Sequence, residues 1–381
     1  MTANGPLCGP GVPGDPDVVE IAALGESLVT FVPSAPGGLA EVPSFERGIG
    51  GAESNVACAL AAAGHSARWI GRVGADGFGA HLVDAIGAYG VDVASVARDP
   101  ERPTGIYFRT AGDRFGEDHE VAYYRAGSAA SAMTVDNVDL AAARACRVLH
   151  LSGITAALSE GCRDLLRELT APRAGRPLLS FDVNHRPGLW RGSDGPRVLL
   201  ELARRADLVF VGDDEAHRLW GLRGAHAVRQ ALPEPAVVVV KRGAEGATAF
   251  GTGTGLRGAG AGTVALGSGS GDRGSGSGGR GAEAVVSVPA PVVEVVAAVG
   301  AGDAFAAGFL SAALRGLPMR DRLRHGHLAA AAALTVPGDL AVPPARHRAD
   351  RLAALDDGAW GTLRLGPGWT GADARAAEEG P

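Results

Sequence analysis

A glycine-rich turn followed by an apolar, helix-like stretch is the strongest chemical signal in the sequence. Residues 299–305 read Val-Gly-Ala-Gly-Asp-Ala-Phe, and apolar residues continue to Leu314. Glycines let the main chain approach a ligand closely, and the first turn of a helix leaves its N–H groups without partners. Those donors and the positive end of the helix dipole favour an anion such as phosphate. Asp303 either belongs to this anion site or is simply an N-terminal helix cap.

Apolar strands that alternate with helices must position this turn. The sequence predicts helices over 159–170, 193–204 and 213–220, between strands at 147–151, 177–183, 207–211 and 236–241. Near-continuous apolar runs such as Val237–Val240 are typical of parallel strands that helices cover on both faces. We therefore expect an open α/β sheet with a ligand site at the carboxyl ends of its strands.

The ends of the chain differ in composition from its middle. Residues 1–17 are rich in Pro and Gly and predict a disordered leader. We expect the main domain to span 18–345, and 346–381 to form a C-terminal helix and a loose tail.

A low-complexity segment interrupts the main domain at 251–283. It consists mostly of Gly, Ser and Thr, which cannot bury enough apolar surface to offset the entropy of ordering. We expect a disordered insertion. Its G-x-G-x-x-G pattern at Gly253, Gly255 and Gly258 resembles a dinucleotide fingerprint, but no helix pattern follows it, so we do not interpret it as a cofactor site.

The composition excludes several classes of protein. The 381 residues are 46% hydrophobic and 20% charged, with a formal net charge of −6, as in a soluble globular chain. An acidic chain whose single lysine is Lys241 is a poor ligand for nucleic acids or membrane surfaces. The N-terminus does not resemble a signal peptide, no apolar run could span a bilayer, and the four cysteines lack metal-ligand spacing. We therefore expect a cytoplasmic protein without nucleic-acid or membrane partners.

Two separated motifs resemble the signatures of the ribokinase-like (PfkB) carbohydrate kinases. GAGDAFAAGF at 300–309 is similar to the second signature, and residues 50–57 and 71–79 are similar to the first. The likeness runs from about residue 18 to 345, apart from the insertion. It implies a ribokinase-like three-layer sandwich with a mostly parallel central sheet. It also implies a small β-sheet lid, formed by early strands and the hairpin at 104–125, and a homodimer or larger oligomer.

The resemblance assigns chemistry to the glycine turn. Asp303 would be the general base for a sugar hydroxyl, and the N–H groups of Gly300, Ala301 and Gly302 would stabilise charge on the transferred phosphoryl group. ATP would supply that group, and Mg²⁺ would arrive with ATP. Positioning and electrostatics dominate such transfers, so few reactive side chains are expected.

A narrower resemblance concerns the acceptor. The runs at 123–129, 150–155 and 182–186 are similar to those of 2-keto-3-deoxygluconate kinases, which phosphorylate a sugar acid on its terminal hydroxyl. Arginine offers a bidentate fork to a carboxylate, and tyrosine adds a hydroxyl donor. The resemblance therefore predicts that seven residues contact the sugar acid: Gly50, Gly51, Asn55, Tyr107, Tyr123, Arg125 and Arg186.

The nucleotide side is matched less completely. Lys241, Gly243 and Gly246 match the segment that borders ATP in the family, together with Gly300 and Gly302 of the turn. Glu215 matches a glutamate in the water shell of magnesium, although Gly212 replaces the asparagine that usually precedes it. Ala297 and Ala298 stand where relatives carry Asp-Thr, which implies little activation by potassium.

Three other functions remain open. The chain could be a ribokinase-like kinase for a fructose-type sugar or a nucleoside, in which case a carboxylate clamp would be superfluous. It could be a catalytically silent sugar or nucleotide sensor, although Asp303 and the Gly-Ala-Gly turn are intact. A nicotinamide-dependent dehydrogenase is the weakest alternative, because its fingerprint lies only in the low-complexity insertion.

Overall fold

A large twisted sheet forms the centre of the computed structural model, which describes residues 17–35, 37–110, 121–190, 194–252 and 283–371. Eight strands of this part of the chain are ordered across the sheet as follows: β14 (Glu283–Val288), β13 (Ala247–Thr252), β12 (Val237–Lys241), β11 (Leu208–Gly212), β10 (Leu178–Asp182), β9 (Cys146–Ser152), β1 (Val19–Leu24) and β4 (Ala67–Ile70). Neighbouring strands pair in parallel across the six-stranded part of the sheet formed by β12, β11, β10, β9, β1 and β4. Strands β13 and β14 add an antiparallel edge.

Helices cover both faces of this sheet, as its apolar strands require. One face carries α1 (Ala52–Ala62), α2 (Gly77–Ala88), α9 (Ala301–Leu314), α10 (Met319–Leu334), α11 (Arg346–Ala353) and α12 (Asp357–Thr362). The other face carries α3 (Leu140–Arg144), α4 (Gly153–Leu158), α5 (Glu160–Thr170), α6 (Gly195–Arg205), α7 (Asp213–Trp220) and α8 (Ala225–Ala231). Side chains alternate along each strand, so Phe210 enters the first core and Val209 the second. The expected three-layer sandwich is confirmed.

A separate four-stranded sheet forms the lid. Its order is β3 (Phe45–Gly50), β2 (Leu28–Pro33), β7 (Ile106–Arg109) and β8 (Val121–Tyr124), and the predicted hairpin of β7 and β8 is confirmed by their antiparallel pairing. Strand β3 was not predicted, because its sequence FERGIG contains two glycines and two charged residues. Two further pairs of short strands are β5 (Arg72–Gly74) with β6 (Ala97–Asp99), and β15 (Val292–Val293) with β16 (Arg364–Leu365).

The predicted insertion connects two paired strands. Thr252 at the end of β13 lies opposite Glu283 at the start of β14, so both ends of the expected insertion belong to the sheet. Residues 253–282, with the G-x-G-x-x-G pattern, lie outside the described residues.

The C-terminal segment packs further along the chain than the sequence suggested. Trp360 of α12 is fully buried, and Trp369, near the end of the segment that was expected to finish as a loose tail, is buried as well. Residues 372–381 and most of the expected leader, 1–16, lie outside the described part. Among the helices that the structure describes, none has the length and apolar character needed to cross a bilayer.

Candidate active site

A cavity of about 670 Å³ lies between the lid and the carboxyl ends of the central strands. Its floor includes Asn184 and Arg186, which follow β10, and Gly300 and Asp303 at the start of α9. Its roof includes Tyr107 and Tyr123 of the lid. The cavity therefore lies where open α/β sheets bind ligands, and seven of the predicted sugar-side residues line it: Gly50, Gly51, Asn55, Tyr107, Tyr123, Arg125 and Arg186.

The glycine turn adopts the conformation expected of an anion site. Gly300 has a φ of +72° and precedes α9, and a Cβ there would lie 2.1 Å from the carbonyl oxygen of Asp339. Ala304 is the residue of α9 whose amide first bonds within the helix, to the carbonyl oxygen of Gly300 at 2.9 Å. The amides of Ala301, Gly302 and Asp303 precede that bond. Consequently the first turn leaves N–H donors without helical partners beside Gly300 and Asp303, which line the cavity, whereas Ala301 and Gly302 are not among its lining residues.

Asp303 occupies the third position of α9. Its carboxylate accepts a 2.9 Å hydrogen bond from Nδ2 of Asn55 and a 3.5 Å bond from Nδ2 of Asn184. Burial raises the pKa of Asp303 to about 6, although the Asn55 bond and the cations Arg186 and Lys241 oppose that rise. A half-buried carboxylate with a pKa near neutrality, facing a cavity, has the properties of a general base rather than of a cap.

Lys241 lies beside the same turn. Its Nζ is 2.7 Å from Oδ2 of Asp182, and it lies 3.6 Å from the point that a Cβ on Gly302 would occupy. Burial lowers the pKa of Lys241, but the attraction of Asp182 and Glu215 outweighs burial, and its net shift is upward. The lysine therefore remains a cation next to the amide donors.

The carboxylate of Glu215 accepts hydrogen bonds from two main-chain amides. One carboxylate oxygen accepts the amide of Gly212 at 3.0 Å, and the other accepts the amide of His185. Burial, followed by repulsion from Asp182, raises its pKa. Both oxygens are thus committed to capping the start of α7 and the turn after β10, which leaves Glu215 suited to a magnesium ion only through intervening water.

The two glycines predicted on the nucleotide side have different surroundings. Gly243 has a φ of +55° and faces open space. Gly246 has a φ of +117°, and a Cβ there would lie 2.2 Å from the carbonyl oxygen of Val288. The close approach of β14 explains Gly246 without a ligand. Neither glycine, nor Lys241, lines the 670 Å³ cavity.

The lid presents a tyrosine pair to the cavity. Tyr107 and Tyr123 lie opposite each other on β7 and β8, with ring centroids 5.3 Å apart. Tyr107 is buried and its hydroxyl donates to Asp339, whereas Tyr123 is 53% exposed. Tyr123 therefore has the freer hydroxyl of the two.

The two predicted clamp arginines are not equivalent. Arg125 is paired with Glu26, which also accepts a 2.8 Å hydrogen bond from the hydroxyl of Ser128. Burial raises the pKa of Glu26, and Arg125 opposes that rise. Arg186 is exposed to the cavity and forms no ion pair with the residues that the structure describes. The positive charge of Arg186 is thus available to a ligand, whereas that of Arg125 is largely offset.

Four residues near the cavity were not singled out from the sequence. Asn184 and Asp182 lie in the motif at 182–186 and are recognisable as polar residues at a strand end. Glu26 likewise follows the end of β1. Asp339 lies in a loop after α10, and no local pattern distinguishes it.

Comparisons with known proteins agree with this geometry. The model of the pfkB family carbohydrate kinases matches residues 19–346. A 2-dehydro-3-deoxygluconokinase of Bacillus subtilis (strain 168) is 32% identical over 335 residues, which are 87% of this chain and 94% of the relative. Fructokinase-2 of Zea mays is 35% identical over 198 residues, 51% of this chain and 58% of the relative.

A solved structure extends the likeness to the fold. The crystal structure of a PfkB protein from Polaromonas sp. JS666 matches with a TM-score of 0.70 at 30% identity, covering 87% of this chain and 99% of that one. The family match covers the glycine turn, the lid and the central sheet together. The chain belongs to the PfkB family of carbohydrate kinases.

Proposed function

We propose that this carbohydrate kinase transfers the γ-phosphoryl group of ATP to the terminal hydroxyl of a sugar acid, with 2-keto-3-deoxygluconate as the first candidate. The observation that carries the proposal is Arg186, a cation with no ion pair among the described residues, in the cavity that also contains Asp303. Such a cation can bind the carboxylate of a sugar acid while the carboxylate of Asp303 faces the hydroxyl. The similarity to a 2-dehydro-3-deoxygluconokinase supports the same acceptor.

Asp303 acts as the general base in the proposed reaction. It takes the proton of the acceptor hydroxyl as that oxygen bonds to the γ-phosphorus, and the bond between the γ-phosphorus and the bridging oxygen breaks, releasing ADP. Asn55 holds the carboxylate at 2.9 Å and so fixes the direction in which it faces. A positioned base of this kind contributes about 10²- to 10⁴-fold to the rate.

The glycine turn and the free amides that follow Gly300, together the amide turn, stabilise the moving phosphoryl group. The N–H donors of Ala301 and Gly302, which start α9 after the left-handed Gly300, would stabilise the negative charge that develops on this group. Lys241 adds a positive charge beside Gly302. Mg²⁺ belongs to the MgATP substrate and would neutralise phosphate charge, and Glu215 could reach it only through water.

The nucleotide would lie along the ends of β12 and β13. Lys241 ends β12, and the turn with Gly243 follows it directly. Gly243 leaves open space that a nucleotide can occupy. We assign Gly246 to shaping this turn, because the carbonyl of Val288 already occupies its open side.

The sugar acid would lie between the lid and the start of α1. Gly51 precedes α1, and a Cβ there would lie 2.4 Å from the carbonyl oxygen of Glu26, so this position requires glycine. Gly50 and Asn55 border the same space, which Tyr107 and Tyr123 cover. Arg125 shapes the wall by its pairing with Glu26, and Arg186 supplies the carboxylate contact.

An ADP-release assay against a panel of acceptors tests this proposal. The panel contains 2-keto-3-deoxygluconate, 2-keto-3-deoxygalactonate, fructose, ribose and adenosine. We expect a sugar acid to give the highest kcat/KM, and Arg186→Ala to raise KM for the sugar acid far more than KM for ATP. Arg163→Ala, which removes an arginine outside the cavity lining, is the matched control. Preference for a neutral acceptor, or equal loss of both substrates in the Arg186 variant, would contradict the assignment.

A fructose-type acceptor is the second candidate. The Glu26–Arg125 pair favours it, because this pair leaves the cavity with less free positive charge than two unpaired arginines would provide. The similarity to a fructokinase points the same way. If fructose is the acceptor, Arg186→Ala should leave its KM nearly unchanged while abolishing any turnover of sugar acids.

We propose further that the outer face of the lid joins two copies of the chain. Phe45, Phe108 and Tyr124 form a connected aromatic cluster there, and Tyr124 is 65% exposed. An aromatic surface of this kind is typical of an interface. Sedimentation should show a dimer or a larger oligomer at micromolar concentration, and Tyr124→Glu should weaken it. A monomer at that concentration would exclude the assignment.

A further inference from the structure

Asp339 is a nearly buried carboxylate that lines the cavity but has no part in the reaction described above. It lies in the loop that follows α10, and its side chain is 6% exposed. Burying a carboxylate is costly unless other groups compensate it. Its neighbours therefore indicate what holds it in place.

The side chain of Asp339 contacts the lid. Oδ2 accepts the hydrogen bond of the Tyr107 hydroxyl, and Oδ1 lies 3.5 Å from Nη2 of Arg109. The same Nη2 donates at 2.6 Å to the carbonyl oxygen of Pro337 in the loop. Tyr107 and Arg109 project from the same face of β7, since they are two residues apart. Three polar contacts thus fasten β7 of the lid to one loop of the body.

The main chain of Asp339 contacts the amide turn. Its carbonyl oxygen lies only 2.1 Å from where a Cβ on Gly300 would be, so the two backbones are in direct contact. Gly300 has the left-handed conformation that starts α9, and it lines the cavity. The same carboxylate lies 2.3 Å from the position of a Cβ on Gly50 at the end of β3. A single residue therefore contacts the lid on one side and the phosphoryl-binding turn on the other.

We propose that Asp339 is a positioning residue that couples the seating of the lid to the conformation of the amide turn at Gly300. When β7 is fastened, the loop at 337–339 is held against Gly300 and the turn keeps the geometry that phosphoryl transfer requires. When β7 is released, the loop loses its anchors and the turn loosens. This coupling rests on the proposed kinase reaction for its catalytic consequence, but the mechanical link exists independently of the acceptor.

Hydrogen–deuterium exchange of the ligand-free protein tests the link directly. Two peptides are followed, one containing 106–109 and one containing 300–304, in which the reporting amide is that of Ala304, bonded to the carbonyl oxygen of Gly300 at 2.9 Å. We expect Asp339→Ala to accelerate exchange by about tenfold in both, as loss of hydrogen bonds to a charged group predicts. Tyr107→Phe is decisive, because Tyr107 bonds to the side chain of Asp339 and its effect must travel through that residue to the turn. We expect it also to accelerate exchange in 300–304, whereas acceleration confined to 106–109 would overturn the proposal.

Matched variants keep this test informative. Asp136→Asn changes an exposed aspartate and should leave both peptides as in the wild type. If Asp339→Ala does not fold, Asp339→Asn takes its place. Asparagine keeps an acceptor for Tyr107 and loses the charge facing Arg109, so it should accelerate exchange in both peptides by a smaller factor. Unchanged exchange in either peptide would contradict the coupling.

Kinetics add the catalytic consequence. Measured with the best acceptor of the panel, Asp339→Ala and Tyr107→Phe should each lower kcat, and the double variant should be no slower than the slower single variant, because both changes break one connection. Multiplicative losses would show independent roles and overturn the coupling. If the wild type phosphorylates no acceptor, the proposed function fails while the exchange comparison still decides the link.

Discussion

The surroundings of Asp303 predict an acidic limb in the pH–rate profile of the proposed reaction. Burial raises the pKa of Asp303 to about 6, and the proposed reaction needs the ionised form to accept a proton. Activity should therefore be complete above about pH 7 and fall through pH 6. At pH 5 about a tenth of the carboxylates remain ionised, so kcat/KM should be roughly a tenth of its maximum.

Removing the hydrogen bond from Asn55 should move this limb in a defined direction. The 2.9 Å bond favours the ionised carboxylate, so Asn55→Ala should raise the pKa of Asp303. A hydrogen bond to a charged group contributes about 1.5 kcal/mol, which corresponds to roughly one pH unit. The bond from Asn184 is longer, at 3.5 Å, so its loss should move the limb less. Asn184→Gly is the suitable change, because Asn184 has a φ of +39° that glycine adopts without strain.

The assay is ADP release over pH 4.5 to 9 at several acceptor concentrations and saturating ATP, with circular dichroism at each pH to exclude unfolding. Asp136→Asn, a change of an exposed aspartate, should reproduce the wild-type profile. An acidic limb that stays in place in Asn55→Ala would refute the argument that Asp303 is the titrating group. A limb that moves to lower pH would refute the sign of the effect.

Four further outcomes are expected. Gly300→Ala should abolish most turnover and lower the melting temperature, since its Cβ would collide with a main-chain carbonyl at 2.1 Å and its φ is +72°; thermal melts and ADP release check both effects. Asp303→Asn should raise the melting temperature at pH 8 but not at pH 4. Folding raises the pKa of Asp303, so ionising this carboxyl lowers the stability of the folded protein as pH rises from about 4 to 6. An unchanged melting temperature at pH 8 would contradict this reasoning. Replacing 253–282 with a short glycine-rich turn should leave kcat unchanged within error, since Thr252 and Glu283 are already paired across the sheet; loss of activity would give the segment a role. Exchanging sodium for potassium should leave the rate unchanged, because Ala297 and Ala298 offer no carboxylate; clear activation would point to a cation site elsewhere.

Local patterns predicted the parts of the site that lie close together in sequence. The turn at 300–303 and the hairpin of β7 and β8 are examples, because glycine placement and strand periodicity are local properties. The pairing of Arg125 with Glu26 could not be predicted, since 99 residues separate them and only folding brings them together. The contact of Tyr107 with Asp339 spans 232 residues for the same reason.

Residue type also limited what the sequence could predict about Lys241 and Glu215. A lysine at a strand end and a glutamate in a first helical turn are common on solvated surfaces. Their roles depend on Asp182, which lies within 2.7 Å of Lys241 and raises the pKa of Glu215. Asp182 belongs to another strand, so neither residue could be interpreted from its own neighbours in the chain.

The lid leaves the body of the molecule twice. Strands β2 and β3 are one excursion between β1 and α1, and strands β7 and β8 are another, between β6 and the segment that leads to α3. Four chain connections therefore join the lid to the body of the molecule. Neither excursion forms the four-stranded sheet by itself, so this lid cannot be exchanged between relatives as one contiguous cassette: any recombinant must replace both excursions together.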